Sequence, residues 1–271
     1  MADDAELAPI VDSLWLQTQL GQPGLKLIDV RHRDSYRQEH IPGAAHFDIE
    51  QINIKRPPVT GLLPEPAAFN DMMSAIGLSK SDLVIVYDDA GGPAAARLAW
   101  TLKAFGHGAS AMLDAGFNGW LATGAKTDTL VPTVGAIAYR AQIDSSRIAD
   151  RNYIRQSLHK PETVLLDTRS LAEYEGTDRR AARGGHIPGA VHFDWNWSKD
   201  AGDNHFKPAV ELLSKLEASG VMRDREIICY CQSHQRSSVI CLLLEALGYP
   251  NVKGYPGAWS DWGNAADTPI E

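Results

Sequence analysis

The chain has 271 residues, enough for one large domain or two ordinary ones, each with its own hydrophobic core. A hydrophobic content of 44% and a charged content of 22% are typical of a soluble globular protein. The formal net charge of −8 argues against a surface that binds nucleic acid or anionic membranes.

The cysteine count and the N-terminus bear on the cellular compartment. Three cysteines, two of them one residue apart, do not form a disulfide framework and suit a reducing environment. The first six residues are acidic and lack the basic and apolar regions of a signal peptide. No apolar run approaches membrane-spanning length. The sequence therefore predicts a cytoplasmic protein.

Short β-branched runs alternate with helical stretches through the first half of the chain. Four elements are predicted there: a strand at 26–30, a helix at 65–76, a strand at 83–87 and a helix at 94–105. Residues 125–136 then contain Gly, Thr and Pro without helical periodicity, which predicts a linker.

The second half shows the same order of elements. A strand is predicted at 163–167, a helix at 208–219, a strand at 226–230 and a helix at 238–247. This alternation is typical of βαβ units and a parallel sheet. Residues 176–185 are an additional segment rich in Arg and Gly, which predicts an exposed loop.

Short sequence blocks of the first half return in the second half. The matching pairs are 27–31 with 165–169, 40–44 with 186–190, 83–87 with 226–230, and 116–120 with 258–262. Because this period is too long for a solenoid, the pattern predicts a duplicated domain. The predicted domains are residues 1–124 and 137–271, joined by the linker at 125–136.

Residues 227–238 read Ile-Ile-Cys-Tyr-Cys-Gln-Ser-His-Gln-Arg-Ser-Ser. An apolar strand ends at Cys231, a short polar loop follows, and the next helix ends before Gly248. A thiol at this point lies among loop N–H groups and at the positive end of a helix dipole, which favours the thiolate. Arg236 adds a positive charge. A buried, inert cysteine is the alternative, but the polar residues that follow favour a reactive thiol.

These blocks together resemble those of tandem-domain rhodaneses, which are thiosulfate sulfurtransferases. The resemblance covers nearly the whole chain: the paired Asp-x-Arg and His-Ile-Pro-Gly-Ala blocks, the Gly-x-Trp-x-x-Trp block near the C-terminus and the cysteine loop. It implies an α/β fold with two rhodanese-like domains, each a mainly parallel sheet flanked by helices on both faces. It also implies that Cys231 takes a sulfane sulfur from thiosulfate or a similar donor, becomes a persulfide, and passes the sulfur to cyanide or a thiol.

The candidate site residues follow from the loop. Cys231 is the predicted nucleophile and Arg236 the main contact for the anionic substrate. The loop residues predicted to complete the binding site are Gln232, Ser233, His234 and Gln235. His234 either adds a second positive group or a base, or only shapes the loop.

The first domain is predicted to be catalytically silent, because Asp88 stands where the second domain has Cys231. No metal or organic cofactor is implied. The expected partners are small molecules, without nucleic acid or membrane, and the expected state is a monomer.

Two departures from the family pattern leave the donor open. The loop is closer to the Cys-Gln-Thr-His-His-Arg loop of some bacterial rhodaneses than to the mammalian-type loops. Glu173 also stands where the mammalian-type enzymes place an arginine. A 3-mercaptopyruvate sulfurtransferase is therefore an alternative, as is a persulfide-carrying module. A phosphatase fits less well, since the step from Cys231 to Arg236 is one residue shorter than in the related tyrosine phosphatases.

Overall fold

A computed structural model describes residues 7–133, 135 and 137–271. The acidic N-terminal segment and two residues of the predicted linker, Val134 and Ala136, lie outside the described residues. The chain divides into two compact units. The first unit contains the described residues up to Ile49 together with Glu65–Ile143 and Asp203–His205. The second unit contains Glu50–Pro64, Asp144–Gly202 and Phe206–Glu271.

The first unit is built on a five-stranded sheet in the order β1-β7-β6-β2-β3, and every pair in it is parallel. Its strands are β1 (Ile10–Val11), β2 (Leu25–Asp29), β3 (Ala45–His46), β6 (Leu83–Tyr87) and β7 (Ser110–Leu113). Its helices are α1 (Ser13–Gln19), α2 (Arg33–Gln38), α3 (Pro66–Ala75), α4 (Pro93–Ala104) and α5 (Gly116–Ala122). Successive residues of β6 are fully buried, so both faces of this sheet are covered.

The second unit repeats this arrangement with a four-stranded parallel sheet in the order β11-β10-β8-β9. Its strands are β8 (Thr163–Asp167), β9 (Val191–His192), β10 (Glu226–Tyr230) and β11 (Val252–Gly254). Its helices are α6 (Arg151–Ser157), α7 (Leu171–Tyr174), α8 (Ala209–Ala218), α9 (Arg236–Ala246) and α10 (Ala258–Trp262). The predicted α/β fold of two mainly parallel sheets is confirmed.

A β-hairpin that precedes α3 in the sequence belongs to the second unit. Its antiparallel strands are β4 (Ile54–Arg56) and β5 (Val59–Leu62). The Thr60 N–H donates to the Ser260 hydroxyl oxygen at 2.9 Å, and that hydroxyl lies 2.8 Å from the Thr60 carbonyl. Gly61 (φ +77°) lies against the cysteine loop: a Cβ at this position would lie 2.2 Å from the Ser233 carbonyl oxygen.

The predicted strands agree with the structure to within one residue, and the helices differ mainly at their ends. Helix α9 begins at Arg236 rather than at 238, so Arg236 lies in its first turn. The 176–185 segment has no helix or strand, as predicted, but it is only partly exposed. Arg183 donates hydrogen bonds to backbone carbonyls of the C-terminal segment, including that of Thr268 at 2.7 Å, and Gly185 is buried.

Candidate active site

Strand β10 delivers Cys231 to the carboxyl edge of the second sheet. The strand is central, with β8 and β11 on either side, and Tyr230 at its end accepts a hydrogen bond from the Ile187 N–H at 3.2 Å. The loop after it is held by α10: the Trp259 N–H donates to the Cys231 carbonyl at 2.9 Å, and the Ser260 N–H donates to Gln232 at 3.0 Å. The backbone of Cys231 is therefore held by the central strand before it and by α10, which binds the loop after it.

The Cys231 thiol is buried, with 1% of the residue exposed, and it is surrounded by groups that stabilise a negative charge. Burial alone raises the pKa of Cys231. The positive charge of Arg236, the Ser237 hydroxyl and the backbone N–H groups of Ser237 and Ser233 outweigh that effect, and the pKa lies below its ordinary value. The surroundings of the sulfur therefore favour the thiolate over the thiol.

Arg236 is held by a buried carboxylate. Its two terminal nitrogens donate to the two carboxylate oxygens of Glu173, at 2.6 and 2.8 Å. Burial raises the pKa of Glu173, but the hydrogen bonds and charge of Arg236 lower it to about 2 overall. Glu173 also forms a capping box with Ser170 at the start of α7. This bidentate pair fixes the direction of the guanidinium.

The 176–185 segment reaches the same region through Arg180. The Gln232 side chain donates to the Arg180 carbonyl at 3.1 Å. The Arg180 guanidinium binds Asp178 at 2.6 Å and lies 3.7 Å from Glu173. A second cation therefore lies close to Glu173, contributed by a neighbouring loop.

His234 is fully buried within the loop and has a left-handed backbone conformation (φ +56°). The Ser238 hydroxyl donates to its carbonyl at 2.6 Å, which supports this conformation. Its Nδ1 lies 2.7 Å from the Ser237 hydroxyl oxygen, and the same hydroxyl donates to the Cys231 sulfur at 3.5 Å.

Of the predicted site residues, Cys231, Ser233, His234 and Arg236 lie together around the sulfur. Gln232 is directed to the Arg180 carbonyl instead. Gln235 precedes α9 without a side-chain cap hydrogen bond. Two neighbours were missed by the sequence prediction, Ser237 and Glu173. Ser237 follows Arg236 directly in the first turn of a helix, a position that could have indicated it.

The corresponding loop of the first unit has a carboxylate in place of the thiol. Asp88 accepts hydrogen bonds from the N–H groups of Gly92 at 2.8 Å, Ala95 at 3.1 Å and Ala90 at 3.2 Å. The N–H groups of this loop are thus directed at the protein's own carboxylate.

The Asp-x-Arg pairs of the two units have the same geometry. Arg31 binds Asp29 at 2.7 Å and Arg169 binds Asp167 at 2.5 Å, and all four side chains are buried. In the described part of the chain, no group of three or more His, Cys, Asp or Glu side chains could hold a metal ion. No helix of the described residues is long and apolar enough to cross a membrane.

The chain has two α/β units, each built on a parallel sheet, and a cysteine loop at the edge of the second sheet. These features define a tandem-domain protein of rhodanese type. The Rhodanese-like domain family matches the chain twice, over residues 12–123 and 150–265. The chain therefore belongs to the rhodanese family.

Similar proteins are found along the whole length. A thiosulfate sulfurtransferase of Azotobacter vinelandii is 35% identical over 271 residues, covering 100% of each chain. A 3-mercaptopyruvate sulfurtransferase of Escherichia coli is 31% identical over 275 residues, covering 95% of each. The crystal structure of a 3-mercaptopyruvate sulfotransferase from Escherichia coli has a TM-score of 0.83 at 28% identity, covering 93% of this chain and 99% of that chain.

Proposed function

We propose that the chain is a sulfurtransferase that moves a sulfane sulfur from thiosulfate, through a persulfide on Cys231, to cyanide or a thiol. The observation that carries the proposal is the environment of the Cys231 sulfur: Arg236, the Ser237 hydroxyl and two backbone N–H groups all stabilise its anionic form. The match to thiosulfate sulfurtransferases along the full chain supports the same reaction.

The reaction has two balanced steps. In the first, the Cys231 thiolate attacks the outer sulfur of thiosulfate, a new S–S bond forms at Cys231, and the S–S bond of thiosulfate breaks. The electron pair of that bond leaves on sulfite, and the outer sulfur keeps in the persulfide the negative charge that it carries in thiosulfate. In the second step, cyanide or a thiolate attacks this outer sulfur, and Cys231 leaves again as a thiolate.

Arg236 supplies positive charge next to the reacting sulfur, where it attracts thiosulfate and offsets the charge of the departing sulfite. The loop residues Gln232 to Gln235 form the rest of the binding surface, chiefly through their backbone. Because Glu173 binds both terminal nitrogens of Arg236, this guanidinium does not offer its free two-nitrogen face to a substrate.

That arrangement bears on the second candidate, a 3-mercaptopyruvate sulfurtransferase, which the 31% identical relative also supports. A mercaptopyruvate donor carries a carboxylate, and the preferred partner of a carboxylate is a free guanidinium fork. The same bond to Glu173 also limits the contact of Arg236 with the oxygens of thiosulfate, so the preference for thiosulfate rests on the 35% identical relatives. Parallel assays with thiosulfate, 3-mercaptopyruvate and an aryl phosphate compare the candidates directly.

The remaining parts of the proposal concern the molecule as a whole. The first domain, residues 1–124, is catalytically silent because Asp88 replaces the nucleophile. Residues 125–136 link it to the catalytic domain, 137–271. The protein acts as a monomer in the cytoplasm, in keeping with three free, buried cysteines.

Intact-mass measurement and peptide mapping test the covalent step. Thiosulfate should add one sulfur atom to the protein, the sulfur should map to Cys231, and cyanide should remove it. Cys229 and Cys241 are the internal controls, because both are fully buried and lie in β10 and α9 rather than in the loop. A persulfide on either of them, or no added sulfur, would contradict the proposed function.

A further inference from the structure

A continuous chain of three polar atoms ends at the reacting sulfur. The Ser237 hydroxyl donates to the Cys231 sulfur at 3.5 Å, and the Nδ1 of His234 lies 2.7 Å from the same hydroxyl oxygen. All three side chains are buried, with His234 and Ser237 fully enclosed. Water therefore does not compete for these contacts.

The number of available hydrogens determines which atom donates in each of these two hydrogen bonds. A serine hydroxyl has one hydrogen to donate and lone pairs that accept. When that hydrogen points to the anionic sulfur, the bond to His234 requires that Nδ1 carries a hydrogen and donates it to the Ser237 oxygen. The thiolate therefore selects the form of His234 in which Nδ1 is protonated.

We propose that Ser237 is a catalytic residue of the sulfur-transfer reaction and that His234 is a positioning residue that directs the Ser237 hydroxyl to Cys231. This inference rests on the proposed function. The relay from His234 through Ser237 to Cys231 strengthens whenever the charge lies on the inner sulfur and weakens when the charge moves to the outer sulfur of the persulfide.

The relay acts differently on the two steps. Before sulfur uptake, it keeps Cys231 ionised. During discharge, Cys231 is the leaving group, and a hydroxyl that stabilises the forming thiolate speeds its departure. Loss of the relay should therefore slow discharge to cyanide at every pH, whereas it should slow sulfur uptake mainly at low pH, where the thiol is protonated.

The backbone of the loop holds the relay in place. The left-handed conformation of His234 and the bond from the Ser238 hydroxyl to its carbonyl turn the imidazole toward the first turn of α9. Residues other than glycine adopt this conformation rarely, and asparagine is among the few that do so readily.

The other titratable and charged groups that face Cys231 are Arg236 and Cys241 of α9, and Glu173 of α7 behind Arg236. The Arg180 guanidinium lies beyond Glu173. Substitutions in the relay leave all of these in place. A shift measured at Cys231 can therefore be assigned to the hydroxyl and the imidazole.

The first test measures the rate of alkylation of Cys231 by iodoacetamide as a function of pH, with the modified residue identified by mass. Ser237→Ala should raise the pKa of Cys231 by about one unit, which means about tenfold less thiolate at low pH. Ser157→Ala is the matched control: it also removes a buried hydroxyl, bonded to the Tyr153 carbonyl in α6, and should leave the profile unchanged. An unchanged profile in Ser237→Ala would overturn the proposal.

The second test concerns His234. His234→Asn keeps the left-handed backbone and places an amide N–H where Nδ1 stands, so its profile should stay close to that of the parent. His234→Gly also accepts the backbone conformation but offers no donor to the Ser237 hydroxyl. The pKa of Cys231 in this variant should rise by about half as much as in Ser237→Ala, which corresponds to roughly a threefold loss of thiolate. Equal profiles for the Asn and Gly variants would contradict the role of the imidazole.

A third measurement needs no substitution. Nitrogen NMR of the ring-labelled protein should show Nδ1 of His234 carrying a hydrogen while Cys231 is a thiolate. If Nδ1 is unprotonated, the proposed relay is contradicted, and this result does not depend on whether the Ser237 variant folds. Alkylation and NMR do not depend on sulfur transfer, so failure of the relay and failure of the proposed reaction are separate outcomes.

Discussion

At the scale of single residues, Glu173 determines what Arg236 can do. Without this carboxylate, the guanidinium could turn to bind the Cys231 sulfur, the substrate or water. The bidentate bond to Glu173, which is 1% exposed, removes that freedom and leaves the positive charge facing Cys231. One carboxylate therefore orients the cation and limits which anions it can bind.

The depressed pKa of Glu173 gives a prediction with a definite sign. Its pKa is 4.5 ordinarily and about 2 in the folded protein. The stabilising contribution of this carboxylate is therefore complete above pH 4.5 and is lost as the pH falls towards 2. Glu173→Gln should lower the free energy of unfolding at neutral pH by about 3 kcal/mol, since each pKa unit corresponds to about 1.4 kcal/mol.

Denaturant titrations at several pH values provide the measurement. The difference between the parent and Glu173→Gln should shrink as the pH falls from 4.5 towards 2. Glu175→Gln is the matched control, because Glu175 is exposed and next to the same short helix. A difference that stays constant down to pH 2 would show that the pair does not depress this pKa. The turnover of thiosulfate should also fall in Glu173→Gln, because Arg236 loses its fixed orientation.

At the scale of elements, the approach of the hairpin to the cysteine loop depends on Gly61. In Gly61→Ala the new methyl group would lie 2.2 Å from the Ser233 oxygen and 2.8 Å from the Ser233 carbonyl carbon. Backbone atoms cannot move aside as a flexible side chain can, so the hairpin and the loop must separate. We expect a loss of stability of about 1–3 kcal/mol from this overpacking and a lower rate of sulfur transfer, because Ser233 contributes an N–H to the thiolate.

Gly24→Ala separates the steric effect from the strain of the backbone. Gly24 has a similar positive φ of +83°, but a Cβ there has no neighbour within 4 Å. Urea unfolding and thiosulfate turnover of the two variants should therefore differ. If both lose the same stability and the Gly61 variant retains full activity, the close approach to Ser233 has no role in the site.

The sequence predicted those features that depend on neighbours along the chain. Cys231, its polar loop and the helix dipole lie within one strand–loop–helix segment, and alternating elements predicted both parallel sheets. The pair of Glu173 and Arg236 spans 63 residues, and no local pattern indicates that two such side chains meet. The place of the 50–64 hairpin depends on packing against Ser260, 200 residues away, which periodicity also cannot reveal.

At the scale of the whole molecule, the structural units and the two halves of the sequence are not the same. The hairpin at Glu50–Pro64 belongs to the second unit, and Asp203–His205 belongs to the first. His205 binds Asp114 at 2.9 Å within the first unit. The duplicated blocks predicted two domains correctly, but the chain also crosses between the units at these two places.

This arrangement makes a prediction about a fragment that starts at residue 137. The fragment retains Cys231, Arg236 and Glu173, but it lacks the hairpin whose Thr60 binds Ser260 and whose Gly61 packs on Ser233. We expect poor solubility or a strongly reduced rate with thiosulfate, because the loop that holds the thiolate loses its support on that side. The rate should be compared with that of the full chain at equal concentrations of folded protein.

A second fragment isolates the cause. Residues 50–64, joined to residue 137 by a flexible Gly/Ser linker, restore the hairpin without the rest of the first unit. If the hairpin supports the site, this fragment should recover a large part of the rate, and Gly61→Ala within it should remove that recovery. A fragment starting at 137 that is monomeric and fully active would show that the hairpin contributes nothing to catalysis. Equal, low rates for both fragments would instead assign the loss to the remainder of the first unit.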